Sequence, residues 1–209
     1  RTAAVGGVPR VMSDAARAAS GGDAALRGRR AVVTGGAGGI GAAICRALAQ
    51  LGAEVVVVDR RGAHELAATL PGARAATVDL VDPGAIAAFV ANELRGEADI
   101  VVHCAGVAQV ERFVDSDPAT WELQWQVNLR APMLLTHALL PGMIERGWGR
   151  VVLISSDGAR AGSAGEVVYS AAKAGLLGLT KSLAREVARN GITVNAVCPG
   201  PADTPMLRA

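Results

Sequence analysis

An α/β fold, built as a doubly wound parallel sheet, is predicted by three observations. Short apolar runs recur along the chain, each followed by a stretch of helix formers with apolar residues at helical spacing. The runs, such as Val55-Val56-Val57-Val58, are apolar throughout and do not alternate, as strands buried on both faces do. A glycine-rich turn, Gly35 to Gly41, separates the first run from the first helix. A length of 209 residues with 51% hydrophobic content suits one domain with a sizeable core.

Residues 1–28 are rich in Ala, Gly and Arg, with Asp14 and Asp23 interspersed, and hold no apolar core of signal-peptide length. They read as a flexible and dispensable tail ahead of a single domain over 29–209. Arg1 is not an initiator, and Met12 is a natural start. The first strand is Ala31-Val32-Val33-Thr34, followed by the glycines and a helix from Ala42 to Gln50 that stops at Gly52. A second strand, Glu54 to Val58, ends in Asp59. Ala75 to Val78 is a third, leading to Asp79-Leu80 and a helix from Pro83 to Leu94, with proline tolerated in the first turn. Asp99 to His103 is a fourth strand, closing in Cys104-Ala105-Gly106. A long helical stretch from Pro118 to Glu145 precedes the strand Val151 to Ile154; a helix through Tyr169 to Arg189 and a strand from Ile192 to Val197 complete the pattern.

The chemistry centres on Tyr169, the only tyrosine, in Tyr169-Ser170-Ala171-Ala172-Lys173. Positions i and i+4 share one helix face, so the Lys173 ammonium is placed to stabilise a phenolate and lower a pKa ordinarily near 10. That converts a phenol into an acid/base usable near neutral pH. The plainer reading is two side chains that merely share a face. Ser156 stands thirteen residues before Tyr169, at the C-terminal end of a strand, where open α/β sheets bind ligands. Turn or cap chemistry is the plainer reading for Ser155 and Ser156.

Strand, glycines and helix in that order make a phosphate cradle: missing β-carbons admit a pyrophosphate, and the helix N-terminus presents unpaired N–H groups. Gly36-Ala37-Gly38-Gly39-Ile40-Gly41 matches G-x-G-x-x-G, and Gly35-x-x-x-Gly39-Ile40-Gly41 after Thr34 is the more informative register. Asp59 follows Gly41 by eighteen residues, the spacing of a carboxylate that accepts hydrogen bonds from the adenosine ribose. Such a carboxylate repels a 2′-phosphate and favours NAD, whereas Arg60 and Arg61 beside it could pair with that phosphate. The formal net charge of +2 leaves no nucleic-acid footprint. Cys45, Cys104 and Cys198 are widely spaced, which suggests neither a disulfide framework nor a metal site, and His64, His103 and His137 lack ligand spacing. Free thiols and apolar runs too short to span a bilayer lead us to expect a cytoplasmic protein without membrane or nucleic-acid partners.

From Arg29 to Arg208 the chain resembles the short-chain dehydrogenases/reductases. The resemblance rests on Thr34-Gly35-x-x-x-Gly39-x-Gly41, Asp59, Asp79-Leu80, Ala105-Gly106, Asn128, Ser156, Tyr169-x-x-x-Lys173 and Pro199-Gly200-x-x-x-Thr204. It implies a Rossmann-type sheet and NAD-dependent interconversion of a secondary alcohol and a ketone. Tyr169 would move the proton, Lys173 would lower its pKa and bind the nicotinamide ribose, Ser156 would hold the substrate oxygen, and Asn128 would position a water linking Lys173 to solvent. The cofactor would meet Gly35, Gly39, Ile40, Gly41, Asp59, Arg60, Asp79, Leu80, Cys104, Ala105, Gly106, Tyr169 and Lys173, with Pro199, Gly200 and Thr204 around the nicotinamide. One departure is His103-Cys104, where the family usually has two asparagines.

The stretches from Ser156 to Glu166 and from Cys198 to Thr204 are similar to the 2-hydroxycyclohexanecarboxyl-CoA dehydrogenase branch and to 3-oxoacyl thioester reductases, implying a hydroxyacyl or oxoacyl thioester. Family members continue past Leu207 through a covering helical segment and a last strand that often joins a homo-oligomer interface. The expectation is therefore a domain truncated at its C-terminal end. The alternative from another class is a non-catalytic NAD-binding sensor or scaffold. Loss of the catalytic set would mark it, and Asn128, Ser156, Tyr169 and Lys173 are all present.

Overall fold

The computed structural model describes residues 25–204. Most of the expected tail, and Pro205 to Ala209, lie outside the described residues. Six strands form one parallel sheet in the order β3-β2-β1-β4-β5-β6. They are β1 (Arg30–Thr34), β2 (Glu54–Val58), β3 (Arg74–Ala76), β4 (Ile100–His103), β5 (Gly149–Ile154) and β6 (Ile192–Val197). The first three step outwards to one side of β1, and β4 to β6 step to the other, so the winding reverses between β1 and β4. Thr34 pairs with both Val58 and His103 at the C-terminal ends of these strands, which opens a crevice there.

Both faces of the sheet are covered. Val32, Val56, Val58, Val101, Val151 and Leu153 point into one core, where α3 (Pro83–Ala88), α5 (Ala131–Glu145) and α7 (Val167–Val187) bring Ile86, Leu135, Leu139 and Leu176. Ala31, Val33, Val55, Val57 and Val102 point into the other, against Cys45 of α1 (Gly39–Gln50) and Leu66 of α2 (Ala63–Ala67). Successive residues of one strand thus feed opposite cores, which explains why the runs read as unbroken apolar sequence.

Two helices start as their sequences dictate. Asp82 accepts a hydrogen bond from Gly84 N at 2.7 Å and Asp117 one from Ala119 N at 2.9 Å, each followed by a proline in the first turn. The expected helix from Pro118 to Glu145 is continuous in space but changes register: α4 (Pro118–Trp125) passes through a π-helical turn, Gln126–Arg130, into α5. Pro132 contributes to this. Having no N–H, it cannot donate the helical bond to the carbonyl of Asn128 four residues earlier. The helix expected from Pro83 to Leu94 likewise ends in a π-helical turn, Phe89–Leu94.

Three boundaries differ from expectation. α1 begins at Gly39, three residues before Ala42, because its glycines already have helical backbone. β3 stops at Ala76, its last rung with β2, while Val78 is buried outside the ladder. α2, four-residue α6 (Gly158–Ala161) and the 3-10 turn Phe113–Asp115 are too short to leave a periodic signal.

Candidate active site

The glycine turn is shaped by what its missing side chains allow. Gly35 has φ +63°, and a β-carbon on it would lie 2.6 Å from Ala105 Cα, so the turn after β1 rests directly on the chain leaving β4. Gly41 could carry no side chain either, since it abuts the carbonyl oxygen of Gly35. A β-carbon on Gly39 would strike the Thr204 side chain at 2.5 Å, so the stretch after β6 folds over the cradle. The N-terminus of α1 has no side-chain cap, and Ile40 sits in its open first turn. This bare, glycine-lined helix start fits a dinucleotide pyrophosphate.

Asp59 stands at the mouth of the cradle. Its Oδ2 accepts from Ala37 N at 3.1 Å and its Oδ1 from Arg61 N at 3.3 Å, so it braces the glycine turn while remaining part-exposed. Arg60 is exposed beside it. Asp79 is exposed, closing a turn on Val81 N at 3.0 Å, and Leu80 packs against the larger core. Cys104 and Ala105 are held by β1 through Cys104 N to Thr34 O at 3.1 Å and Ala105 N to Thr34 Oγ1 at 3.4 Å. Burial raises the Cys104 thiol pKa.

Lys173 lies at the floor of the crevice, 3% exposed, and donates from Nζ to Ile154 O at 2.8 Å. Burial pulls its pKa down to about 8. Neighbouring Ser155 donates to the Lys173 carbonyl at 2.8 Å, so β5 holds both ends of this residue. Gly106 lies over the lysine: a β-carbon there would come 3.0 Å from Asn128 Oδ1 and 3.3 Å from Lys173 Nζ. Asn128, fully buried, spends its side chain on one residue, accepting from Val107 N at 3.1 Å and donating to Val107 O at 2.7 Å. Its carbonyl receives no helical bond from position 132, where proline has no N–H.

Tyr169 is half-buried one turn before Lys173, and Lys173 Nζ is 5.7 Å from the centre of its ring. Here the structure departs from the expected electrostatics. The Tyr169 phenol is pushed above its ordinary value, chiefly by burial and then by the Glu166 and Asp157 carboxylates, with a hydrogen bond to Ser156 acting against them. The Lys173 ammonium is directed at Ile154 O and lies 5.7 Å from the centre of the ring. Ser156 accepts from Gly158 N at 3.2 Å and donates to Asp157 Oδ1 at 3.3 Å. Asp157 N donates to Pro199 O at 3.0 Å, and a β-carbon on Gly200 would lie 3.6 Å from Asp157 Oδ2. The stretch from Pro199 to Thr204 therefore spans the crevice from the serine to the cradle.

The departure at His103 has a local explanation. His103 is 2% exposed and its Nε2 lies 2.8 Å from Thr136 Oγ1 of α5, while burial, then Lys173, drives its pKa down to about 3. It is a neutral strut between β4 and α5. Glu166, Asp157 and Ser155 lie close to these groups, although in the sequence Ser155 offers only turn or cap chemistry and Asp157 and Glu166 figure only within the stretch from Ser156 to Glu166.

Tyr169, Lys173, Ser156, Asn128, the glycine turn and the stretch from Pro199 to Thr204 thus lie at the C-terminal ends of β1, β4 and β5, whereas Leu80 packs into the core and Asp79 and Arg60 are exposed. Comparison with known proteins agrees in family. The short chain dehydrogenase family matches residues 29–209. The acetoacetyl-CoA reductase of Rhizobium meliloti (strain 1021) is 44% identical over 186 residues, covering 87% of this chain and 77% of that one. The D-beta-hydroxybutyrate dehydrogenase of the same organism is 38% identical over 190 residues, covering 86% and 73%. The crystal structure of the 3-ketoacyl-(acyl-carrier-protein) reductase from Brucella melitensis complexed with NADH is 30% identical with TM-score 0.84, covering 88% of this chain and 79% of that one. The chain belongs to the short-chain dehydrogenase family.

Proposed function

We propose that this protein is an NAD-dependent oxidoreductase that interconverts a secondary alcohol and a ketone, acting on a hydroxyacyl or 3-oxoacyl thioester. The observation that carries the reading is the convergence of Tyr169, Lys173, Ser156 and Asn128 beside a glycine cradle on one crevice. The names of the reductase relatives support the thioester.

When bound, a nicotinamide cofactor supplies the hydride donor or acceptor and, when oxidised, a positive charge. Gly35, Gly39 and Gly41 would admit its pyrophosphate, Asp59 its adenosine ribose, and Pro199 to Thr204 its nicotinamide end. Ser156 turns its proton from Asp157 to the substrate oxygen and fixes that oxygen beside the Tyr169 hydroxyl. Tyr169 takes the alcohol proton in oxidation and returns it to the carbonyl oxygen in reduction. Lys173, kept near its titration point by burial, exchanges protons along the Asn128 carbonyl towards solvent. Gly106 leaves the room that this path needs.

We include a homo-oligomer and a cytoplasmic setting in the reading. Leu123, Met133 and Val167 on α4, α5 and α7 remain exposed, as surfaces awaiting a second copy do. Among the described residues no helix is long and apolar enough to cross a membrane.

The cofactor assignment is tested by titrating the protein with NADH and with NADPH, following cofactor fluorescence. The expected result is tighter binding of NADH, with Asp59→Ala narrowing the difference by about tenfold. Tighter binding of NADPH would transfer the role to Arg60 and Arg61.

A further inference from the structure

We infer that Asp157 and Glu166 act as a charge filter on the reacting end of the substrate, admitting a neutral acyl group and excluding a free 3-hydroxy or 3-oxo carboxylate. This rests on the alcohol–ketone reading above and narrows its substrate class. Four observations support it.

Asp157 is exposed next to Ser156, the hydroxyl that holds the substrate oxygen, and its Oδ1 is 3.3 Å from Ser156 Oγ. It is anchored, since its N–H reaches Pro199 O and its Oδ1 accepts from Gly158 N at 2.8 Å. A side chain so fixed keeps its charge at the mouth of the site. Glu166 stands one turn before Tyr169 at the start of α7, half-buried, and its carboxylate makes no capping bond there.

The loop across the cleft carries a third carboxylate. Glu111 N donates to Gly165 O at 2.9 Å, which seats Glu111 beside the turn that leads into Glu166, with its Oε1 3.5 Å from Thr120 Oγ1. Lys173 is 3% exposed and tied to Ile154 O. Arg160 is exposed at the far end of α6, and Arg112 pairs with Asp115 at 3.6 Å.

The field of the carboxylates is felt at the reacting position. Glu166 and Asp157 are among the groups that raise the Tyr169 phenol, and they penalise negative charge on the phenol as they would on a substrate carboxylate. A short 3-hydroxy acid carries its charge two carbons from the reacting carbon, inside that field. Esterifying the acid, as a thioester or an oxygen ester, removes the charge and leaves the reacting carbon unchanged.

The test compares 3-hydroxybutyrate with its methyl ester as alcohol substrates at low ionic strength, so that charge differs without any carrier. Wild type should oxidise the ester with a kcat/KM about tenfold or more above that of the acid. Glu166→Gln combined with Asp157→Asn should narrow the ester-to-acid ratio of kcat/KM by about tenfold, on top of any change common to both substrates that the altered surroundings of Tyr169 bring. Salt at about 0.5 M should narrow the ratio in wild type and leave it unmoved in the variant. Glu166→Gln alone, which disturbs no capping bond, should give a partial shift and serves if the double variant folds poorly. Equal kcat/KM for acid and ester in wild type, or a ratio unmoved in both variants, would overturn the filter. Oxidation of neither substrate would instead overturn the alcohol–ketone reading on which the filter rests.

Discussion

Tyr169 and Lys173 occupy the expected positions, yet their titration differs from what one helix face suggested. The phenol is raised, mainly by burial, and the ammonium is lowered to about 8. Alcohol oxidation needs the phenolate and ketone reduction needs the phenol. We therefore expect kcat/KM for oxidation to climb as pH rises above 8, and kcat/KM for reduction to fall over the same range. Profiles measured in both directions check this, and an oxidation limb that is flat above pH 7 would contradict it. His103 gives a stability prediction. Its folded pKa, about 3, lies below the ordinary 6.5, so the unfolded chain binds a proton that the fold excludes as pH drops through 6.5 towards 3. Stability should fall by about 2 kcal/mol between pH 7 and pH 5, and His103→Asn should remove that slope. Urea midpoints at the two pH values report it. The tyrosine–lysine pair was legible because i and i+4 are local geometry. The carboxylates that add to the effect of burial were not, because no spacing rule connects Asp157 with a ring twelve residues later.

At the scale of elements, the helical rod from Pro118 to Glu145 does two things through its change of register. Its π-helical turn carries Asn128, whose side chain clamps Val107 in the segment between β4 and α4, while Pro132 withholds a helical donor from the Asn128 carbonyl. The side chain is committed to the loop, and the carbonyl is the group that our proposal places on the proton path. Asn128→Ala would leave Val107 N and O without partners, costing about 2 kcal/mol of stability. It should also lower kcat/KM by about tenfold or more, since the loop over Gly106 loosens. Thermal unfolding and turnover measured on the same sample check both, and unchanged turnover with lowered stability would confine Asn128 to a structural role. The extent of this rod, from Pro118 to Glu145, was legible in the sequence. The register shift was not, because a π-helical turn inserts a single residue and leaves the stretch helical.

For the molecule as a whole, the two ends of the sheet divide the labour. The N-terminal ends of the strands are tied by charges: Asp99 bridges Arg29 at 3.1 Å and Arg146 at 3.7 Å, Glu54 pairs with Arg30 and Arg74, and Trp148 lies between the guanidinium groups of Arg29 and Arg150. These contacts lie at the end of the sheet opposite the crevice. The six strands and their parallel sense were legible because the central strands feed two cores and read as unbroken apolar runs, whereas the place where the winding reverses was not. The salt-bridged end was not foreseen, since its partners lie up to 70 residues apart.

The central claim is that Tyr169 moves the proton in an NADH-linked reduction, in a site built separately from the cofactor cradle. It is tested most directly by Tyr169→Phe, assayed with a 3-oxoacyl thioester for turnover and by NADH fluorescence for binding. The account predicts that turnover falls by about a thousandfold or more while NADH affinity stays within about threefold of wild type. Turnover retained within about tenfold of wild type, with NADH bound, would contradict it.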